Sequence, residues 1–304
     1  MSGSTNTQMG AAAPQGGAYL ARPKGAGRGR RVSRGQTIAR YLVLVLVLGY
    51  LIVPLFASVE FATRGDFDKA TKTFGRSMEA FTSILKFPNL VDSILVSLGI
   101  AVLTVGGMLL LLVPTMVWTV VRVPRMRRVV EFLCLLPLAI PAIVIVVGIG
   151  PIYRWIGQNL GAVGASPLTL SLIDIILVLP YSYRALDSSL RGIDTATLSD
   201  ASRSLGAGWV RTIFEVIVPN IRGGILSASV LATALVLGEF TISSLLSYNT
   251  VQVVIFLLGH RDAYVAVAVS LAALFFAFVL LFAIARFAPG AGSRTQRAVE
   301  EPVA

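Results

Sequence analysis

A single cysteine, Cys134, and a single histidine, His260, occur among the 304 residues. One thiol builds no disulfide framework, and Cys134 and His260 stand on separate segments, so they assemble no metal site. Lysine is almost as scarce: Lys24, Lys69, Lys72 and Lys86 are all there are, and none follows Gly and precedes Ser or Thr. A phosphate-cradling Walker loop is therefore missing, and any nucleotide chemistry belongs to another chain. A membrane protease or phosphatase needs a nucleophile with an oriented base beside it, which one His at the edge of an apolar segment does not supply, so no enzyme is expected. Charge is scarce as well, at 13% of residues. That is too little for the solvated surface of a soluble domain of this length.

Apolar residues fill the gap. They make up 55% of the chain, and the mean hydropathy is +0.80. A helix crosses the hydrocarbon layer with roughly 17 to 25 apolar residues, because every backbone polar group must be satisfied inside the segment. Six stretches qualify: Tyr41 to Val59, Ser93 to Val121, Glu131 to Ile152, Leu168 to Tyr183, Ile225 to Leu246 and Tyr264 to Phe287. The expected fold is an all-α polytopic membrane protein with six transmembrane helices. Pro137 and Pro141 should kink or partly unwind the third.

Basic residues set the expected orientation. With the N-terminus inside, the inner segments hold seven Lys and Arg from Arg22 to Arg40, four from Arg122 to Arg128, five from Arg184 to Arg222 and three from Arg286 to Arg297. The outer segments hold seven in all. The excess on one side predicts cytoplasmic termini. It also accounts for the net charge of +11 without nucleic acid, since these cations flank spans and are not interleaved with stacking aromatics.

Residues 1–37, rich in Gly, Ala, Arg and Ser, read as a disordered basic tail, and 289–304 as a short cytoplasmic one. The first apolar run is long enough to span and reads as an uncleaved anchor, not a secretory signal. Residues 38–288 form the membrane domain. In the loop from Glu60 to Asp92, the spacing of Met78, Phe81, Ile84 and Leu85 predicts a short helix in the membrane interface.

The stretch between spans four and five carries the functional signal. Asp194 before Thr195-Ala196-Thr197 is an N-cap, and Leu198, Ala201, Ser202 and Leu205 are expected on one face of a short helix that Gly206 ends. After Ala207-Gly208, the residues Trp209, Val210, Ile213, Phe214 and Ile217 recur at helical spacing, until Pro219 closes a second helix. Two short helices at an angle make a knob with apolar side chains beside Arg203 and Arg211, suited to a groove on a soluble partner. An interfacial hairpin lying on lipid is the plainer reading of the same pattern.

Asp200-Ala201-Ser202, then three residues, Gly206, nine residues and Val216-Ile217-Val218-Pro219 resemble the cytoplasmic coupling loop of permease subunits in binding-protein-dependent ATP-binding-cassette importers. That loop reads acid-Ala-Ala, three residues, Gly, nine residues, Ile-x-Leu-Pro. Here Asp, Ser and two Val depart from it, and every spacing is kept. Leu135 to Pro141, with its two prolines, and Leu237-Gly238-Glu239-Phe240 are similar to further segments of these permeases. The resemblance implies a coupling loop at 194–219 carried by Asp200, Ala201, Ser202, Arg203, Leu205, Gly206, Trp209, Phe214 and Pro219. It also implies a bacterial inner-membrane location and several partners: an ATPase dimer holding the ATP and Mg, a second and different permease, an extracytoplasmic substrate-binding protein, and lipid. Ser204-Leu205-Gly206-Ala207 is most like the polyamine, iron(III), phosphonate, sulfate and molybdate group, with sugar permeases second. Ala142 stands where polyamine permeases often carry an acid.

Two acids fall inside spans, Asp174 in the fourth and Glu239 in the fifth, where an unpaired carboxylate is costly. Either they face the pathway, together with Phe240, or each is capped by a hydroxyl, a backbone group or a partner's Arg and orders helix packing. A stand-alone secondary transporter is the competing class; such proteins show inverted repeats with paired broken helices, and one double-proline span without a counterpart argues against it. A membrane scaffold without transport is the third class.

Overall fold

A computed structural model describes residues 34–68, 73–84, 87, 89–164 and 166–286. The basic segment up to residue 33, Leu85 and the C-terminal tail at 289–304 lie outside the described residues. The chain divides into two compact units, Met1–Pro54 and Leu55–Ala304.

The first unit contributes most of one helix, α1 (Arg34–Ala62), which carries Pro54. Its sequence is apolar on every side, the pattern of a helix whose surroundings are hydrocarbon. Residues Ile38–Ala62 are long and apolar enough to cross a membrane.

In the second unit, Arg64–Asp68 (β1) and Thr73–Arg76 (β2) pair as an antiparallel hairpin. The all-α expectation missed it, because the loop was read for helical spacing alone. The short helix α2 (Glu79–Ser83) follows as expected. Ile84 and Phe87 beside it pack with Leu90, Leu258, Val265, Ala266 and Val269 in a small satellite core, while Met78 stays exposed. Next come α3 (Leu90–Val121), α4 (Arg127–Leu135), α5 (Ala142–Asn159), the single turn α6 (Gly161–Gly164) and α7 (Leu170–Arg191). Then follow α8 (Thr195–Ser204), α9 (Trp209–Arg211), α10 (Val218–Asn220), α11 (Arg222–Leu237), α12 (Thr241–Leu245), α13 (Val251–Gly259) and α14 (Ala263–Arg286).

Among the described residues, five segments are long and apolar enough to span, and one bent pair makes a sixth: Ile38–Ala62, Leu90–Val121, Pro124–Ala139 with Ala142–Asn159, Pro167–Arg191, Arg222–Leu245 and Ala263–Arg286. The molecule is a mostly helical, polytopic membrane protein. Three features differ from the sequence expectation. The third span does not merely kink but turns by 105° between Ala139 and Ala142, because Pro141 has no N–H to continue the ladder and Ile140 is extended. The fourth span runs on to Arg191 as a polar extension of the apolar stretch. Finally, α13 lies between the fifth and sixth expected spans; its nine residues are too short to span, yet Val251, Val253 and Leu258 bury.

The core lies where α7 meets α3 and α11. Backbones come close there through small residues, as in other membrane bundles. Gly224, Ala228 and Ala232 recur every fourth residue on the buried stripe of α11, and a Cβ at Gly224 would collide with the Ser189 side chain on α7. On α3, Gly99 and Gly107 accept the tips of Leu168 and Ile175 in the same way. Ser97 Oγ accepts from Val251 N at 3.0 Å, and Gln252 Nε2 donates to Leu237 O at 2.9 Å, fixing α13 against α3 and α11.

Candidate functional site

The knob is built as its residues dictate. Asp194 caps α8: its carboxylate accepts from Thr197 N at 3.1 Å and from the Thr197 hydroxyl at 2.7 Å. These bonds hold the Asp194 carboxyl below its ordinary value. At the other end Gly206 has φ +86°, Ala207 N donates to Ser202 O at 3.1 Å and Gly206 N to Arg203 O at 2.9 Å. This is the paired C-terminal cap that a left-handed Gly permits. The second arm runs from α9 through a π-helical segment, Thr212–Ile217, into α10. One extra residue per turn re-aims the side chains there. The arm ends at Asn220, one residue beyond Pro219.

The arms are locked by hydroxyls. Ser202 Oγ and Thr212 Oγ1 meet at 3.0 Å in a buried contact, and Thr212 Oγ1 also reaches Gly208 O at 3.2 Å. The inward stripe of α8 is Thr195, Ser199 and Ser202; of the residues expected on one face, Leu198, Ala201, Ser202 and Leu205, only Ser202 belongs to it. Leu198 is half-buried and Ala201 exposed, and Leu205, where the helix terminates, is 89% exposed. Helical steps of about 100° carry 195, 199 and 202 along one line, and the turn at Gly206 takes Leu205 out of it.

What the knob offers outward is apolar. Leu205, Val210 and Phe214 are exposed at 89%, 68% and 60%, with Asp200, Ala201, Arg203, Gly206 and Pro219 exposed around them. Trp209 points the other way. Its ring meets Trp118 of α3 edge-on at 6.1 Å, and the Arg122 guanidinium lies 5.2 Å from its centre. The knob is thus bound to the last turn of α3 through an aromatic and cationic contact. Nearby, Asp187 on α7 takes Arg127 of α4 at 2.5 Å and Arg191 at 2.7 Å, tying the first half of the broken span to the fourth.

The two acids come together elsewhere. Asp174 and Glu239 line one cavity of about 230 Å³ at the break of the third span, with Pro137, Ile140, Ala142, Val178 and Tyr181. Asp174 is 4% exposed, and its Oδ1 has no hydrogen-bond partner. Glu239 is differently placed. It sits at a second break, between α11 and α12, and accepts from Ile242 N at 2.6 Å, Ser243 N at 3.0 Å and the Ser243 hydroxyl at 2.8 Å. It caps α12 with both oxygens. Phe240 is not in the lining; it packs on Phe256 at 5.1 Å. Among the described residues, no group of three or more His, Cys, Asp or Glu could hold a metal ion.

Sequence reading missed Trp118, Arg122, Thr212 and Asp187. Asp187 and Arg191 stand four apart on one helix, which was a usable signal; the tryptophan pair is separated by 91 positions and left none.

No family model matches the chain. It is similar to a probable molybdenum ABC transporter permease protein of Haloferax volcanii, 32% identical over 130 residues that cover 41% of this chain and 47% of the relative. It is also similar to the spermidine/putrescine transport system permease protein PotB of Escherichia coli, 24% identical over 223 residues, 69% of this chain and 78% of the relative. A third relative, the chloroplastic sulfate permease 2 of Chlamydomonas reinhardtii, is 33% identical over 82 residues, 27% of this chain and 22% of its own. The chain thus spans about half the length of the molybdenum relative and about three quarters of PotB.

Proposed function

We propose that this chain is the transmembrane permease subunit of an ATP-driven importer, placed in a bacterial inner membrane with both termini in the cytoplasm. In this reading the chain forms half of a substrate pathway, and the knob at 194–219 carries the closure of an ATPase dimer to the spans. ATP and Mg belong to that ATPase, a second and different permease completes the pathway, and an extracytoplasmic binding protein delivers the solute. The chain itself has no catalytic role. The solute is a small charged one such as a polyamine; a sugar importer of the same superfamily is the alternative.

The observation that carries the reading is the knob. Its tip presents Leu205, Val210 and Phe214 outward while Trp209 grips α3, which suits a lever seated in a groove on one side and attached to a span on the other. The similarity to three permeases, named for molybdenum, for spermidine/putrescine and for sulfate, points the same way. One observation favours a second reading: the breaks at 139–142 and 238–240 flank the same cavity, as broken helices do in ion-coupled transporters.

The test is copurification. The tagged full-length chain, gently solubilised from native membranes, should bring with it a Walker-type ATPase, a sister permease and a binding protein. A Gly206→Trp variant should lose the ATPase while still inserting. If the chain comes out alone and uptake runs on an ion gradient without ATP, it is a secondary transporter.

A further inference from the structure

We propose that the cavity at the break of the third span binds a protonated aliphatic amine, and that Asp174 is the group that selects it. The proposal names the substrate class of the pathway and rests on the transport reading above.

The argument starts from an imbalance. Asp174 is more than nine-tenths buried, its Oδ1 lacks a partner, and the residues lining the cavity include no Lys, Arg or His. A carboxylate kept in such a place without a counter-charge has a functional reason more often than a structural one. Glu239 does not meet the need, because both of its oxygens are engaged in capping α12; it adds negative potential without being a free acceptor. The backbone leans the same way. Pro141 has no N–H, so the helical ladder stops at the end of the Leu136–Ala139 turn. Carbonyl groups near such a break are cation ligands in other broken spans.

Shape and polarity narrow the cation. Leu138, Leu177, Val178 and Leu235 give the cavity apolar walls, which a hydrated metal ion does not match. An alkylammonium fits both parts: its head takes the Asp174 carboxylate in a charge-assisted hydrogen bond, and its methylene chain lies on the apolar wall. A tetrahedral oxyanion would face two carboxylates and no cationic side chain among the described residues that line the cavity. The cavity therefore favours an amine, such as the spermidine or putrescine for which one relative is named, over an oxyanion such as the sulfate for which another is named.

The test is equilibrium binding to the full-length chain, with whatever copurifies, in lipid nanodiscs, using radiolabelled putrescine and radiolabelled molybdate as separate probes. Putrescine should bind saturably and molybdate should not. Asp174→Asn should weaken putrescine binding by about ten- to hundredfold, the range for a lost charge-assisted contact, and Asp174→Glu should recover most of it. A monodisperse Asp174→Asn protein with wild-type helix content establishes that the loss is local; if that variant misfolds, the pH- and salt-matched competition of putrescine by unlabelled methylammonium in the wild type decides in its place. Absent putrescine binding, binding indifferent to Asp174→Asn, no competition, or saturable molybdate binding overturns the proposal. The ATPase is scored in the same preparation. ATPase present without amine binding removes the cavity proposal alone; Asp174-dependent amine binding without ATPase removes the importer reading alone.

Discussion

Trp118 and Trp209 meet edge to face at 6.1 Å, with their planes at 89°, and this contact joins the knob to the end of the second span. Arg122 adds its guanidinium to the Trp209 ring. Together such contacts stabilise docking by about 1 to 2 kcal/mol. Trp209→Ala should lower uptake severalfold while the ATPase still copurifies, because the outward face of the knob is untouched. Trp209→Phe should recover part of the loss. Equal loss of ATPase binding in Trp209→Ala would mean that Trp209 shapes the outer face and not the link to α3.

Gly206 is required by its backbone and not by space. Its φ is +86° and no atom lies within 4 Å of a Cβ placed there. Left-handed backbone costs an ordinary residue roughly 1 to 2 kcal/mol, with Asn tolerated better than Ala. Gly206→Ala should therefore fray the end of α8 and hasten tryptic cleavage after the exposed Arg203, and Gly206→Asn should do so less. The order of cleavage rates, wild type slowest and Ala fastest, is the readout.

Asp174 and Glu239 should respond oppositely to neutralisation. Glu239→Gln replaces one acceptor oxygen with a donor among three donors, leaving a buried N–H without a partner at a cost of about 1 to 3 kcal/mol. The thermal midpoint of the solubilised chain should fall. Asp174→Asn removes an acid whose Oδ1 has no hydrogen-bond partner in a cavity lined by no Lys, Arg or His, so the midpoint should hold or rise. A fall for Asp174→Asn as large as that for Glu239→Gln would show that Asp174 is a packing group.

Much of this was legible in the sequence because membrane spans are long apolar runs, and hydrocarbon forces helix on them. The N-cap at Asp194 and the stop at Gly206 were legible too, since each is a local event involving residues three or four apart. The failures lie at longer range or against period. Nothing local announced that Ser202 and Thr212 would meet across a turn, and helical spacing alone did not separate the buried Ser202 from the exposed Leu205. The break at Pro137–Pro141 was visible, but its 105° angle depends on what the third span packs against. That Asp174 and Glu239 share a cavity is a product of that break, and a pattern read one helix at a time does not contain it.

The Asp194 cap sets a pH expectation. Its carboxyl lies below the ordinary value of 3.8 in the folded state, first through the Thr197 hydroxyl and then the Thr197 N–H. A lowered folded-state value means that the cap's contribution is fully present above about 3.8 and is lost as pH falls through the lowered value. Amide protection at Thr197 and Leu198, corrected for intrinsic exchange, should be flat from neutral pH down to about 4 and fall only in stronger acid. Loss of protection between pH 7 and 5 would assign the cap to some other group.

The central claim is that the knob's outer face seats on an ATPase, and the lone Cys134, buried in a span, leaves the surface free for engineered thiols. Leu205→Cys and Phe214→Cys, treated with a short bifunctional thiol-to-amine reagent in native membranes, should each give an adduct containing a Walker-type ATPase, while Met78→Cys in the loop after α1 should not. Adducts from Leu205→Cys and Phe214→Cys that contain lipid or unrelated protein but no ATPase would contradict the account.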